Sequence, residues 1–242
     1  MRVSILRSRT RAVDRLQAVS FDLDDTLWDI APVITRAEHV MYGFLRDNYP
    51  RVTQRHSLES MRDRRARIAL ERPEMRHDFS WLRLEALRMH ATEAGYPESM
   101  AGDAFEVFFA ARNEVRLHED VVPALDWLRS RRLRLFVITN GNADLERIGI
   151  AAYFEQVVHA RVAGALKPDP AIFSGLLAAA GLDPTAIAHV GDDPHADMRG
   201  ARAAGMRTVW LNRRGAPWPA DETDPDHVIG SLSELAGLPT FA

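Results

Sequence analysis

Short runs of apolar residues divide the second half of the chain into alternating strands and helices. From residue 121 onward, segments with apolar residues at helical spacing alternate with short runs rich in β-forming residues. The predicted strands are 17–23, 133–138, 156–159, 187–190, 207–211 and 227–229, and the predicted helices are 121–130, 142–149, 170–180, 195–204 and 231–236. This alternation implies right-handed crossovers and a parallel sheet buried between helices. The pattern therefore predicts an α/β fold.

The stretch between the first two strands has a different pattern, which is helical throughout. Apolar residues recur at helical spacing in four segments, Val33–Leu45, Leu58–Leu70, Phe79–Met89 and Phe105–Val115. Proline and glycine interrupt the stretch near residues 73 and 95. A block of helices without strands inside an alternating fold predicts an inserted cap domain, which we place at residues 31–116. The core then comprises residues 17–30 and 117–242, with a basic N-terminal arm at residues 1–16.

Composition excludes several classes of function. The 242 residues include no cysteine, so disulfides, thiol catalysis and thiolate metal sites are excluded. The net charge of −3 gives no general attraction to nucleic acid or to anionic membranes. No run of about 18 apolar residues is present, and the arginine-rich start lacks the apolar core of a secretory signal. We expect a soluble, cytoplasmic monomer or homodimer.

Polar residues follow the first two predicted strands. Asp22 and Asp24 are two positions apart, so both carboxylates face one side while the chain is extended. Two aspartates at a strand end favour a bound cation, although capping or turn aspartates would give the same pattern. Thr139 and Asn140 end the second strand, and their hydroxyl and backbone N–H groups would form an anion site at a helix N-terminus. A simple helix cap would look similar.

Two later clusters complete the set. Lys167 is the only lysine among 31 lysine and arginine residues, and its compact charge suits a crowded meeting point of carboxylates and a phosphoryl group. Chance survival of one lysine in an arginine-rich chain is the alternative. Asp192, Asp193 and Asp197 follow the strand at 187–190 and supply the oxygen ligands that Mg²⁺ prefers.

The order of these clusters resembles the haloacid dehalogenase-like hydrolases over residues 17–237, with all four motifs of that superfamily present. The resemblance implies a Rossmann-like parallel sheet core with an all-helical cap. It also implies that Asp22 is a nucleophile forming an aspartyl phosphate and that Asp24 is the general acid and base. By the same resemblance, Mg²⁺ would be held by the Asp22 carboxylate, the Asp24 backbone carbonyl and Asp192. The other implied roles are phosphate binding by Thr139, Asn140 and Lys167, and support of the metal site by Thr26, Asp193 and Asp197.

The resemblance also separates branches of the superfamily. Dehalogenase members lack an acid two residues after the nucleophile, so Asp24 favours a phosphatase. Phosphonatase members need a lysine in the cap, and the insert has none. No Walker-type loop is present, so ATP-driven chemistry has no support. A 2-haloacid dehalogenase and a non-catalytic binding protein stay open as less favoured alternatives.

A finer resemblance extends through the insert and concerns the substrate. The sequence segments that carry it are Asp25–Asp29, Pro32–Ile34, Arg36–Glu38, His77–Asp78, Ile138–Ala143 and His189–Asp193. They look like bacterial phosphatases acting on flavin mononucleotide or on 5-amino-6-(5-phospho-D-ribitylamino)uracil. Sugar-phosphate and nucleotide phosphatases share most of these segments and are the alternative. Trp28, His77 and Arg83 are the candidate substrate contacts from the cap, whereas the Arg62–Arg67 run is interpreted as a solvated helix face.

Overall fold

The computed structural model describes residues 15–242, which contain a six-stranded sheet in which every pair of neighbouring strands is parallel. The strands are β1 Ala18–Phe21, β2 Arg134–Thr139, β3 Gln156–His159, β4 Ile187–Gly191, β5 Arg207–Leu211 and β6 His227–Ile229. They lie in the order β3-β2-β1-β4-β5-β6. The predicted α/β fold with a parallel sheet is therefore confirmed. Most of the predicted basic arm, residues 1–14, lies outside the described residues.

Strand β1 positions the polar clusters because it lies between β2 and β4 and is wholly buried. Phe21, its last residue, stands opposite Val137 of β2 and Val190 of β4. Because the strands are parallel, their carboxyl ends share one edge of the sheet, where ligands bind in folds of this type. Asp22, Asn140 and Asp192 each come directly after the last residue of one of these three strands.

Helices cover both faces of the sheet. The core helices are α6 Val121–Ser130, α7 Leu145–Ile148, α8 Ala160–Ala163, α9 Pro170–Ala180 and α10 Gly200–Ala203. Val19 and Phe21 pack in one apolar cluster with Leu125 of α6, and Ala18 packs in another with Phe173 of α9. The alternation of side chains along β1 thus gives each face of the sheet its own core.

Three predicted core helices differ from the structure. The helix predicted at 142–149 is confined to α7, because the Asp144 carboxylate accepts hydrogen bonds from the amides of Glu146 and Arg147 and caps the helix there. Segment 195–204 forms a π-helical turn, Pro194–Arg199, followed by α10, and segment 231–236 forms a 3-10 helix, Leu232–Gly237. Thr139 is therefore the last residue of β2 and Asn140 begins the loop after it, so the predicted position of these two residues at a helix N-terminus is wrong.

Residues 30–112, which precede α6, contain five α-helices: α1 Ile30–Asn48, α2 Pro50–Arg55, α3 Leu58–Glu71, α4 Phe79–Ala94 and α5 Ser99–Arg112. They share an apolar cluster of their own, which includes Met41, Leu45, Met100 and Phe108. We call residues 30–112 the helical insert. The proposed domain boundaries at 31 and 116 stay a prediction. None of the helices formed by residues 15–242 combines the length and apolar character needed to cross a bilayer.

Candidate active site

A cavity of about 530 Å³ lies between the carboxyl edge of the sheet and the helical insert. Its volume is in the range that accepts a small organic molecule. The predicted site residues on its wall are Asp22, Asp24, Arg83, Thr139, Asn140, Lys167, Asp192, Asp193 and Asp197. The cavity therefore gathers side chains from all four predicted motifs.

Lys167 lies at the centre of the polar end of this cavity. Its ammonium nitrogen is 2.5 Å from Asp22 Oδ1 and 2.6 Å from Asp197 Oδ1, and all three side chains are buried. Burial alone would lower the pKa of Lys167, but the charges of Asp197 and Asp22 outweigh it and hold the pKa above its usual value. The backbone amide of Lys167 donates to Asn140 Oδ1 at 2.7 Å. The side chain of Asn140 thus fixes the lysine's loop.

The pKa values of Asp22 and Asp197 are shifted in opposite directions, although both carboxylates contact the same ammonium. Burial raises the pKa of Asp22 and outweighs the attraction of Lys167, while the charges of Asp197 and Asp24 add to the rise. Burial also acts on Asp197, but Lys167 and His189 hold its pKa below its usual value. His189 Nε2 lies 3.0 Å from Asp197 Oδ1, and its Nδ1 lies 2.8 Å from Ser20 Oγ. A neutral His189 that donates from Nε2 and accepts at Nδ1 satisfies both contacts.

Asp192 adds a third carboxylate. Asp22, Asp192 and Asp197 each offer an oxygen, and these atoms lie within 4.8 Å of one another. The pKa of Asp192 is raised to about 7, first by burial and then by the charges of Asp197 and Asp25. Thr26 Oγ1 lies 3.3 Å from Asp22 Oδ2 and 3.2 Å from Asp192 Oδ1, so its one proton can serve only one of them. Three close carboxylates against one ammonium leave excess negative charge and an all-oxygen donor set, which fits Mg²⁺.

Asp193 and Asp197 are both engaged by protein groups. Asp193 Oδ1 accepts from the amides of His195 and Ala196 and thereby caps the π-helical turn. Asp197 Oδ2 accepts from the Asp193 amide at 3.1 Å. In the described structure these two carboxylates support the loop that carries Asp192.

The side chains of Arg112 and Trp28 donate hydrogen bonds to the carboxylate of Asp24. Arg112, the last residue of α5, places Nη2 2.9 Å from both carboxylate oxygens, and Trp28 Nε1 donates to Oδ1 at 2.9 Å. Arg112 Nε also donates to Asn142 Oδ1 at 3.1 Å. Gly141 is required nearby, because a Cβ there would overlap Asp24 Oδ2. The end of the helical insert is therefore joined directly to Asp24.

Of the remaining residues predicted from the sequence, Thr139 lies on the cavity wall, whereas Trp28 and His77 do not. Thr139 is buried on the cavity wall, and its Oγ1 accepts from the Gly141 amide at 2.9 Å. Trp28 does not line the cavity, since it is fully buried and its indole points its donor at Asp24. His77 lies in the turn before α4 and is not a wall residue either. These two side chains are therefore not placed to contact a substrate in this cavity.

Sequence reasoning missed an ionic cluster in the helical insert. Glu38, on α1, is 2% exposed and accepts from Arg62 at 2.5 Å, from Arg65 at 2.9 Å and from Arg83 at 3.2 Å. All three arginines line the cavity. Arg62 is exposed, as the solvated-face interpretation predicts, but it and Arg65 are also bound to the buried Glu38, which that interpretation did not include. Arg112 was missed as well. The tertiary fold alone brings both arginine groups to the site, since neither belongs to a recognisable motif.

Comparison with known proteins connects this geometry to a family. The family model of haloacid dehalogenase-like hydrolases matches residues 16–205. The chain is 34% identical over 207 residues to a 5-amino-6-(5-phospho-D-ribitylamino)uracil phosphatase of Escherichia coli, with 83% of this chain and 85% of that protein covered. It is 38% identical over 148 residues to a phosphoserine phosphatase of Thermus thermophilus, which covers 59% of each protein. A crystal structure of a 2-haloacid dehalogenase from Pseudomonas syringae superposes with a TM-score of 0.86 at 40% identity, covering 92% and 97% of the two chains.

Proposed function

Because this chain belongs to the haloacid dehalogenase-like hydrolases, we propose that it hydrolyses a phosphate monoester of a small metabolite with Mg²⁺ as its cofactor. The observation that carries this proposal is the cluster of buried Asp22, Lys167 and Asp197 with partly buried Asp192 on the wall of a cavity of about 530 Å³. Phosphoryl transfer needs little beyond a positioned nucleophile and matched positive charge. The cluster supplies the nucleophile and the ammonium.

In the proposed reaction an oxygen of Asp22 attacks phosphorus, the ester P–O bond breaks and the alkoxide leaves with a proton from Asp24. Asp24 then removes a proton from water, the water oxygen attacks phosphorus and the Asp22–phosphorus bond breaks to release phosphate. Lys167 balances negative charge on Asp22 and on the transferring group throughout. Mg²⁺, held by Asp22 and Asp192, would add positive charge at the phosphoryl oxygens. Thr139 and the Asn140 amide would donate to the same oxygens.

Asp24 needs freedom to turn in this scheme. Arg112 and Trp28 hold its carboxylate in the described structure, so it must exchange these partners for the leaving oxygen. Since Arg112 ends the helical insert, a shift of the insert on substrate binding would release Asp24.

The crystal structure named as a 2-haloacid dehalogenase supports a second candidate, release of halide from a 2-haloacid. Asp24 weighs against it, because a general acid and base at this position serves the phosphoaspartyl route. The test is hydrolysis of p-nitrophenyl phosphate with Mg²⁺ and then with EDTA, beside chloride release from 2-chloropropionate. Phosphate release that EDTA stops is expected. Chloride release without phosphate release would contradict the phosphatase proposal and favour the dehalogenase function.

The substrate within this class follows from a screen of phosphorylated metabolites. Similarity to the Escherichia coli phosphatase favours a riboflavin-pathway compound, and sugar phosphates or nucleotides are the alternative. Every position of the four motifs is filled, which argues against a non-catalytic binding protein. Turnover of any phosphate ester would exclude that class.

A further inference from the structure

Three arginines of helices α3 and α4 lie on the cavity wall, to which these two helices contribute no acid. Arg62 and Arg65 come from α3 and Arg83 from α4, and all three donate to Glu38. Among the described residues no other carboxylate forms an ion pair with them, so the group has an excess of two positive charges. Burial and the nearby charge of Arg65 lower the pKa of Arg83 to about 9, in agreement with crowded positive charge.

Arg62 and Arg65 have donors to spare. The carboxylate of Glu38 accepts hydrogen bonds from Arg62 Nε and Arg65 Nη1. Within residues 15–242 the two guanidinium groups make no other hydrogen bond. Both Nη groups of Arg62, and the Nε and Nη2 of Arg65, are left to other acceptors. Arg64 on the same helix differs, because its two Nη groups pair with Glu93 at 2.6 and 3.0 Å, and it does not line the cavity.

Arg83 has a supporting position. Its guanidinium lies 3.5 Å from the centroid of the Phe108 ring, and the side chain is 10% exposed. Glu38 itself is buried and holds the three guanidinium groups side by side. The arginines are thus fixed before any ligand arrives, which lowers the entropy lost on binding.

The two ends of the cavity have opposite charge. Carboxylates and Lys167 occupy the end at the sheet, and the arginines occupy the end in the helical insert. The apolar part of the wall includes Ile30, Ile34, Phe79, Leu82 and Phe108. A molecule filling this space would place its phosphoryl group at Lys167, a carbon skeleton along the apolar wall, and its other end at the arginines.

We propose that Arg62 and Arg65 bind paired oxygen acceptors at the end of the substrate remote from the scissile phosphate. One guanidinium fork matches two oxygens in one plane, as in a carboxylate or a second phosphate. The two imide carbonyls of a pyrimidine ring are too far apart for one fork, but each can accept from one of the two arginines. This inference rests on the proposed phosphatase function and narrows its substrate class. It excludes esters whose remote end is cationic.

The test compares substrates that differ only at the remote end. Glycerol 3-phosphate is paired with 3-phosphoglycerate, which adds a carboxylate, and ribose 5-phosphate is paired with uridine 5′-monophosphate, which adds imide carbonyls. Phosphocholine supplies a cationic end. We expect kcat/KM to favour the acceptor-bearing member of at least one pair, which also tells an anion from a neutral ring, and to be lowest for phosphocholine.

Variants locate that preference. Arg62→Gln and Arg65→Gln each leave Glu38 with two arginine partners, so the insert should stay folded, as thermal melting will verify. Each should reduce the preference ratio about tenfold or more, in line with loss of a charged hydrogen bond. Arg67→Ala is the control, since this residue is on the same helix but off the cavity wall, and it should leave the ratio unchanged.

Two results would overturn the inference: no preference in either pair, or a preference that survives both Gln substitutions. Failure of the proposed function looks different, because then no ester, including p-nitrophenyl phosphate, is hydrolysed with Mg²⁺.

Discussion

The position between Asp22 and Asp197 suits the compact ammonium of a lysine. The Lys167 side chain is 2% exposed and contacts two carboxylates at 2.5 and 2.6 Å. A guanidinium is planar and wider than an ammonium, so it cannot occupy the same point between Asp22 and Asp197. The single lysine of the chain is thus explained by the shape of its site.

We expect Lys167→Arg to reduce turnover of p-nitrophenyl phosphate by about 10²-fold or more, the usual cost of losing one positioned charge-stabilising group.

Asp22→Asn should abolish turnover because it removes the nucleophile. The protein should stay folded, because the substitution also removes a charge from a crowded buried cluster. Steady-state kinetics and circular dichroism measure both effects. Turnover close to wild type in Asp22→Asn would exclude that residue as the nucleophile.

Gly141 gives a steric test of Asp24. In Gly141→Ala the new methyl group would overlap Asp24 Oδ2 and lie 3.3 Å from Arg112 Nη2, which displaces the carboxylate. A displacement on the order of 1 Å in a reacting group can cost about 10²-fold in rate, and we expect a loss of that size. Gly43→Ala in α1 is the matched control, since no atom lies within 4 Å of its Cβ position. That variant should keep full activity and gain about 0.5–1 kcal/mol of stability.

Unchanged turnover in Gly141→Ala would mean that the position of Asp24 does not limit the reaction.

The sequence contains both Gly141 and Asp24, but it does not show that the two residues lie close together. Arg112 was equally hidden, because an arginine at the end of an apolar helical segment is ordinarily solvated. Contacts between residues far apart in the chain depend on packing that periodicity does not encode.

At the level of helices and strands, the sequence pattern predicted several bounds correctly. Helices α6 and α9 and strands β3, β5 and β6 begin and end where predicted. Helix α2 was missed because its six residues, Pro50–Arg55, bury only Val52 and so show no apolar period. Helix α5 begins six residues before its predicted start because Ala101 and Ala104 bury a small-residue face that resembles a loop in composition. Helix α7 begins later than predicted because Asp144 caps its N-terminus.

Asp120 connects three segments of the chain through hydrogen bonds, so its substitution should change the stability of the fold. Its carboxylate accepts from Arg213 at 2.8 and 2.9 Å, from Ser231 Oγ at 2.6 Å and from the Leu232 amide at 2.8 Å. It thereby joins the start of α6 to segments that follow β5 and β6. Burial would raise the pKa of Asp120, but these hydrogen bonds outweigh it and lower the pKa to about 2.

A folded-state pKa below the unfolded value of about 3.9 means that ionised Asp120 stabilises the fold above about pH 4. This contribution is lost as the pH falls from about 4 to about 2. Asp120→Asn should therefore lower the free energy of unfolding at pH 7 by about 1–2 kcal/mol and flatten its dependence on pH in that window. Urea denaturation at several pH values measures this. An unaltered slope between pH 4 and 2 would assign the acid sensitivity to other carboxylates.

The whole molecule brings residues 22, 139, 167 and 192 together through the order of its strands. Alternation of strands and helices predicted a parallel sheet, and parallel strands end at one edge. The order β3-β2-β1-β4-β5-β6 was not predictable from the pattern, because each crossover can lead to either side of the strand before it. Placing β1 between β2 and β4 is what puts Asp22 between the other motifs.

Metal binding should be visible in global stability as well as in activity. Asp22, Asp192 and Asp197 repel one another at the sheet edge, and the charge of Lys167 balances only one of them. A divalent cation that binds the folded state alone stabilises it by about 2.7 kcal/mol at a concentration 100-fold above its Kd. We therefore expect Mg²⁺ to raise the Tm of the wild type and EDTA to reverse the rise. Asp192→Asn should abolish the Mg²⁺ response, yet raise the Tm in EDTA because one of three neighbouring like charges is removed.

The chain offers its own control for this experiment. His195, Asp221 and Glu222 form a second group whose ligand atoms lie within 4.8 Å of one another, at the surface and outside the cavity. Asp221→Asn should keep the full Mg²⁺ shift if the cation binds at the sheet edge. Loss of the shift in Asp221→Asn but not in Asp192→Asn would place the cation at the surface and remove it from the proposed reaction. Because Tm is measured without substrate, the result holds whichever phosphate ester the enzyme hydrolyses.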